Sequence, residues 1–388
     1  PAGNVEILEA GRKGIPVIPR GEMLAELTRL KDSVVVSGSH GKTTVTAMIS
    51  HIANDLKLDP TVIIGGRLSS IGSTARLGRS SLLAAEADES DRSFLLLHPS
   101  VAVITNIDWE HVDTYPTLDS LKDAYIDFAN KVPFYGTVVA CGDDPNVREI
   151  MRNFRRRTIT YGILEGDIEW TARRTGDADR GERFEVFHGG ASQGLFSIPQ
   201  KGTHMILNGL AAIVASAQMD VSLSDVGKSL AKFPGVDRRF QLVGETAGIR
   251  IYDDYAHHPT EIRALFEAAK AEAGSGRLVA LFQPHRFSRL QKFGEQFAKA
   301  LMGADITVIT EVYAASETPI PGISGESLAG KLKELGHPDC HFVREVSEMA
   351  DFTRPLLRDG DVVVTVGAGT ITKVGPQLLS ILGASDEL

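Results

Sequence analysis

Short apolar runs alternate with amphipathic stretches along most of the chain. VVV (34–36) leads into a Gly-rich turn, and TTVTAMISHIANDL (43–56) then carries apolar residues at helical spacing. SLLAAEAD (81–88) and VAVITNI (101–107) are apolar runs of strand length without alternation. That is the pattern of strands buried on both faces of a parallel sheet. The spacing predicts a helix from Leu118 to Lys131 and a strand over TVVAC (137–141), which makes a βαβ series. Residues 167–200 differ: EWTARR, RFEVFHG and GLFSIP alternate, are broken by Gly and Asp, and predict a small antiparallel excursion. HMILNGLAAIVASAQ and LSDVGKSLAKF return to helical spacing. A boundary near 240–248 opens a second βα series: IRIYDDYA, RLVALFQ (277–283), ITVIT (306–310) and VVVTVG (362–367). The fold class predicted is α/β, with a mostly parallel sheet in a central domain over 33–242 and a Rossmann-like domain over 243–388. Residues 1–32 read as helix, strand, helix, the strand being IPVIP. One such unit cannot cover both faces of a strand, so the chain is expected to begin at Pro1 inside a further α/β domain.

Composition narrows the function. No apolar stretch approaches the ~18 residues of a membrane span, and no basic segment followed by an apolar one marks a secretory signal. There are 41 Lys+Arg against 50 Asp+Glu, a net charge of −9. Such a chain is a poor non-specific nucleic-acid binder, so neither nucleic acid nor a membrane is expected as a partner, and any bound anion must be held by a local device. Cys141 and Cys340 are too few for a disulfide framework and read as reduced thiols of a cytoplasmic protein.

One such device lies between VVV and the following helix. In Gly38-Ser39-His40-Gly41-Lys42-Thr43-Thr44 the glycines let backbone N–H groups turn toward phosphates, and the helix N-terminus adds partial positive charge. The glycine spacing is shorter than in the general phosphate loop, but Lys42 and Thr43 keep their places for the β/γ-phosphates and Mg²⁺. A chance Gly-rich turn is the alternative. Glu86, Asp88, Glu89 and Asp91 end the strand SLLAAEAD, where ligands bind in open α/β sheets. A carboxylate placed there suits Mg²⁺; a charged loop at a strand end is the alternative. Asn106, Asp108, Glu110, His111 and Asp113 end the next strand and bring an amide and an imidazole to the same edge.

GSHGKTT, AEADESD and TNIDWEHVD, in this order and at these distances, resemble the Mur ligases of peptidoglycan synthesis. DDYAHHPTE (253–261), QPHRFSR (283–289) and VYAA (312–315) resemble the signatures of the branch that adds the first amino acid. The resemblance covers essentially the whole chain. It implies a central P-loop-type ATPase domain, a carboxy-terminal Rossmann-like domain, and residues 1–32 as the remnant of a UDP-sugar-binding domain. It implies an ATP-driven ligation of L-alanine to the carboxylate of UDP-N-acetylmuramate through an acyl phosphate. A related muropeptide ligase, or a nucleotide-binding fragment with impaired catalysis, are the alternatives. By the resemblance, Lys42, Glu86 and His111 are catalytic. Gly38 to Thr44, Asn208, Arg239 and Asp254 bind ATP. Thr43, Glu86 and His111 hold Mg²⁺ (or Mn²⁺), two ions in all, so activity would fall at acid pH as His111 protonates. Asn106, His257, His258, His285 and Arg286 face the other substrates; a solvated loop is the alternative for His285 and Arg286, and a surface salt bridge for Arg239. Lys42 and Asp254 would then serve one ATP from two domains, which implies hinge closure. Monomer and homodimer both stay open. The chain departs from the family at Met205, where Asn is usual, at Ser316, where Gly is usual, and at Thr370, where Asp is usual.

Overall fold

The computed structural model describes residues 3–68, 72–111, 113–164, 166–177 and 181–383. They form two compact units. One comprises Pro1–Asp177, Arg183–Ile198 and Ile206–Pro234; the other comprises Ala178–Glu182, Pro199–Met205 and Gly235–Leu388. The second unit thus starts a few residues before the expected boundary, which falls within a strand pair.

The first unit runs α1 (Val5–Arg12), α2 (Arg20–Leu30), β1 (Asp32–Ser37), α3 (Lys42–Asp55), β2 (Thr61–Leu68), β3 (Ser73–Arg76), β4 (Leu82–Glu86), β5 (Val101–Ile104), α4 (Leu118–Asn130), β6 (Thr137–Cys141), α5 (Pro145–Met151), β7 (Arg157–Gly162), β8 (Trp170–Asp177), β9 (Glu182–His188), β10 (Ala191–Ile198), α6 (Thr203–Ala217) and α7 (Leu223–Leu230). Among the described residues these strands make one sheet, in the order β10-β9-β8-β7-β6-β5-β1-β4-β2-β3. The central pairs β1–β4, β1–β5, β2–β4, β5–β6 and β6–β7 are parallel. Side chains alternate across it. Val35, Leu83, Ala85, Ala102, Ile104, Val138 and Ala140 join a core with α2, α4 and α5. Val34 and Val36 are equally buried and fall on the opposite face, where α3 packs on β1, β2 and β4.

One expectation is corrected and another extended. IPVIP is not a strand: residues 15–19 pair with nothing in the sheet, and Ile15, Val17 and Ile18 are exposed. Pro16 and Pro19 lack the N–H a ladder needs. The excursion over 167–200 does not stand apart from the main sheet. β8 pairs in parallel with β7, Tyr161 opposite Trp170, and β8, β9 and β10 extend the main sheet. The start of β8 meets the end of β9, with Trp170 stacked on His188, and β9 and β10 are joined through Gly189-Gly190, so the three strands keep the expected antiparallel run.

β1 is flanked by β5 on one side and β4 on the other. Its own crossover, α3, leads to β2 on the β4 side, while β6 and β7 continue on the β5 side. The crevice beyond the carboxyl end of β1 is therefore a topological switch point, the place such sheets offer a ligand.

The second unit runs β11 (Gln241–Thr246), β12 (Ile249–Asp254), α8 (Pro259–Ala273), β13 (Leu278–Phe282), α9 (Phe287–Leu301), β14 (Ile306–Ile309), α10 (Gly325–Glu334), β15 (Cys340–Phe342), α11 (Met349–Thr353), β16 (Val362–Val366) and α12 (Val374–Gly383). Its sheet order is β11-β12-β16-β13-β14-β15, with β11 antiparallel to β12 and the other pairs parallel. Helices α8, α9 and α10 cover one face and α11 and α12 the other, as in a doubly wound fold. No helix among the described residues is long and apolar enough to cross a membrane.

Candidate active site

Three parallel strands set the first unit's site. β1, β4 and β5 are in register, with Val36 opposite Glu86 and Ser37 opposite Ile104. Gly38 and Thr105 therefore leave the sheet at the same level, and Glu86 ends its strand beside Val36, two residues before Gly38. The loop between β1 and α3 needs its glycines. Gly38 has φ 136° and Gly41 φ 84°. A Cβ on Gly38 would collide with the Thr105 hydroxyl, and one on Gly41 would lie 2.7 Å from Asn208 Oδ1. Asn208, on α6, thus lies against the loop.

The loop is braced from the β5 side. The His40 N–H donates to Asn106 Oδ1 at 2.8 Å. Asn106 Nδ2 and the Thr105 hydroxyl both donate to the His40 carbonyl, at 3.0 and 2.6 Å. Ser39 donates to the Asp108 carbonyl and accepts from its N–H, and His40 Nε2 is 3.2 Å from Asp108 Oδ2. Asn106 was expected to face a substrate; here both atoms of its amide hold the His40 peptide.

Lys42 opens α3. Its ammonium donates to the Gly38 and Ser39 carbonyls at 2.5 and 3.1 Å and to Glu89 Oε1 at 2.9 Å. Burial works against its charge, but Glu89, Glu110 and Glu86 outweigh burial and hold it firmly protonated. His111 has left-handed backbone, φ 53°, and its Nε2 is 3.5 Å from Glu89 Oε1 and 3.8 Å from Glu110 Oε1. Burial opposes the imidazolium, yet these carboxylates raise the pKa of His111. Glu110 is pushed upward by its own burial. The Thr43 hydroxyl donates to Glu86 Oε1 at 3.0 Å, and Glu86 Oε2 accepts from the Gly65 N–H at 2.7 Å. A hydroxyl and a carboxylate side by side at a phosphate loop are hard oxygen donors, the kind Mg²⁺ takes. Asp88, Glu89 and His111 also offer ligand atoms within 4.8 Å of one another, a nitrogen and oxygen set that fits a second divalent ion.

In the second unit β12, β16, β13 and β14 end together: Asp254 pairs with Val366, and Phe282 pairs with Val366 and Ile309. The expected residues there meet at one sheet edge. Asp254 accepts from the Phe240 and Ala256 N–H groups, both at 2.7 Å; burial raises its pKa to about 6 although Arg239 pulls the other way. Of the paired arginines, Arg238 is tied to Asp253 at 3.0 Å and to the Gly367 carbonyl. Arg239 lies 3.8 Å from Glu261, with its guanidinium over the Tyr255 ring. His257 bonds the Tyr255 carbonyl, and burial lowers its pKa to about 3. His285 stacks on Tyr313 and meets Arg289 at 2.9 Å; burial with Arg289 and Arg286 lowers it to about 4. Arg286 is exposed at the start of α9 with φ 72°. His258 is buried, edge-on against Phe293.

Sequence reasoning gathered Gly38 to Thr44, Glu86, His111 and Asn208, and the structure brings them together. It singled out neither Glu89 nor Thr105. Glu89 stood in the acidic run, but only burial separates it from Asp88 and Asp91. Thr105 showed no signal beyond ending a strand.

Known proteins match this chain along nearly its full length. A family model described as Mur ligase middle domain matches residues 36–216, and one described as Mur ligase, glutamate ligase domain, matches residues 238–369. UDP-N-acetylmuramate–L-alanine ligase of Geobacter sp. (strain M21) is 43% identical over 384 residues, 99% of this chain and 83% of the relative. Its namesake from Solibacter usitatus is 45% identical over 384 residues, 98% of this chain and 80% of the relative. Among solved structures, UDP-N-acetylmuramate–alanine ligase MurC from Thermotoga maritima superposes with TM-score 0.82 at 29% identity, covering 98% of this chain and 83% of that one. A murein peptide ligase from Psychrobacter arcticus shares the fold, with TM-score 0.70 at 21% identity over 99% of this chain and 84% of that one.

Proposed function

Since the chain belongs to the Mur ligase family, we propose that it joins L-alanine to the carboxylate of UDP-N-acetylmuramate at the expense of ATP, in peptidoglycan synthesis. The observation that carries this is the Thr43–Glu86 pair beside Lys42 at the carboxyl end of β1. The relatives named for this reaction supply the substrates.

In this reading a muramate carboxylate oxygen attacks the γ-phosphorus of ATP and ADP leaves. The amine of L-alanine then attacks the acyl phosphate carbon, and phosphate departs with the bridging oxygen. The residues mainly position groups and neutralise charge. The loop from Gly38 to Thr44 presents backbone N–H groups to the phosphates, and Lys42 adds a fixed positive charge. Asn208 lies against Gly41 and serves the adenine side. Thr43 and Glu86 would hold Mg²⁺, and His111 a second ion. Such ions supply charge neutralisation on the phosphoryl oxygens. Asn106 and Thr105 keep the His40 peptide in place. In the second unit Arg239 and Asp254 are assigned to nucleotide, and His257, His285 and Arg286 to the remaining substrates. Buried, unpaired Cys141 and Cys340 suit a cytoplasmic enzyme.

Phosphate release with ATP and UDP-N-acetylmuramate, testing L-alanine, L-serine, glycine and a muropeptide in turn, checks the assignment. Release is expected to require L-alanine; release driven by the preformed peptide instead would assign the chain to a related muropeptide ligase.

A further inference from the structure

Besides offering a ligand atom next to Asp88 and His111, Glu89 is fully buried. Its backbone is fixed: the Tyr115 hydroxyl donates to its carbonyl at 2.8 Å, and the Arg92 N–H does so at 3.0 Å. Its Oε1 lies between the Lys42 ammonium at 2.9 Å and His111 Nε2 at 3.5 Å. Its Oε2, equally buried, has no hydrogen-bond partner among the described residues. A buried carboxylate oxygen left that way is costly unless something meets it during function.

The ammonium of Lys42 has three donors, and all three are engaged, by Gly38, Ser39 and Glu89. To reach a phosphate it must release one. The two carbonyls belong to the loop that would cradle the phosphate, whereas Glu89 is an anion that a phosphate oxygen can replace. We propose that Glu89 is a positioning residue of the ligase reaction: it parks Lys42 on the loop, yields it to the incoming phosphate, and keeps His111 aimed at the same point throughout.

This rests on the ligase reading but makes a demand of its own. With Glu89 neutral, Lys42 would offer ATP a positive charge compensated only by the more distant Glu110 and Glu86, while His111 would lose its anchor. Nucleotide binding and turnover should then move in opposite directions. A merely structural carboxylate would weaken both together.

The test is Glu89→Gln in the full chain, with its thermal melt compared with that of the parent. ATP affinity is measured by calorimetry in EDTA, and phosphate release at saturating ATP, UDP-N-acetylmuramate and L-alanine with Mg²⁺. We expect ATP to bind at least fivefold more tightly without metal and kcat to fall at least tenfold, with KM for ATP not raised. A folded Gln variant that does not show both changes overturns the proposal. If that variant does not fold, Glu89→Asp decides, because it keeps the charge but shortens its reach. Turnover at least fivefold lower with metal-free ATP affinity within twofold of the parent supports the role, and any other result overturns it. Failure of the parent to release phosphate would count against the ligase reading instead, and the binding comparison, which needs no acceptor, would still judge Glu89.

Discussion

At Gly41 two constraints act on one residue: a left-handed backbone and the amide of Asn208 where a side chain would go. Gly41→Ala is expected to lower stability by about 1–3 kcal/mol and weaken ATP binding at least tenfold, read by melting and calorimetry. Parental ATP affinity in a folded Gly41→Ala protein would separate the loop from the nucleotide. Lys42 and Thr43 divide the labour in a way kinetics can resolve. Lys42→Ala should reduce kcat about 100-fold or more, the scale of losing one preorganised charge at a transition state, while far-ultraviolet circular dichroism stays native. Thr43→Val removes the hydroxyl that meets Glu86 but keeps the shape, so it should raise the Mg²⁺ concentration for half-maximal rate several-fold. An unchanged Mg²⁺ requirement would take Thr43 out of the metal site.

Among elements, those with one unambiguous pattern were readable. Val34–Val36, Thr137–Cys141 and Val362–Val366 are buried runs, mostly β-branched, covered on both faces, and Leu118–Asn130 is an amphipathic helix with a Thr117 cap. Each is specified by local residues alone. IPVIP misled because apolar content without backbone donors does not make a strand. β2 and β3 escaped notice because Gly65 and Gly66 interrupt the first and the second is four mostly polar residues. The parallel pairing of β8 onto β7 is a long-range choice that no local pattern encodes. The site was legible where chemistry requires a residue type at a loop: Lys42, Thr43, Glu86 and His111. It was illegible where burial alone singles out one carboxylate of a run, as for Glu89, and where a side chain serves the backbone, as for Asn106.

For the molecule as a whole, protonation and turnover give two global readouts. In the second unit, burial depresses His204 to about 4, with Arg239 adding to it, and His257 and His285 stand at about 3 and 4. Their unfolded forms take up protons below about 6.5, when the folded forms cannot. Their contribution is intact above that pH and is lost as pH falls toward 4. Asp254 acts oppositely: its folded pKa of about 6 exceeds the unfolded value, so it favours the folded state as pH falls through 6. Within the second unit these three histidines outweigh Asp254, so amide exchange there should be less protected, relative to the first unit, at pH 5 than at pH 7.5; equal or greater relative protection at pH 5 would contradict the buried neutral histidines. The central claim is that the carboxylate of UDP-N-acetylmuramate is activated as an acyl phosphate and captured by L-alanine. It is tested most directly by labelling that carboxylate with ¹⁸O and weighing the phosphate released in the presence of ATP, Mg²⁺ and L-alanine. The account predicts one ¹⁸O in each phosphate and one retained in the new amide. Phosphate free of label, released alongside amide product, would contradict it.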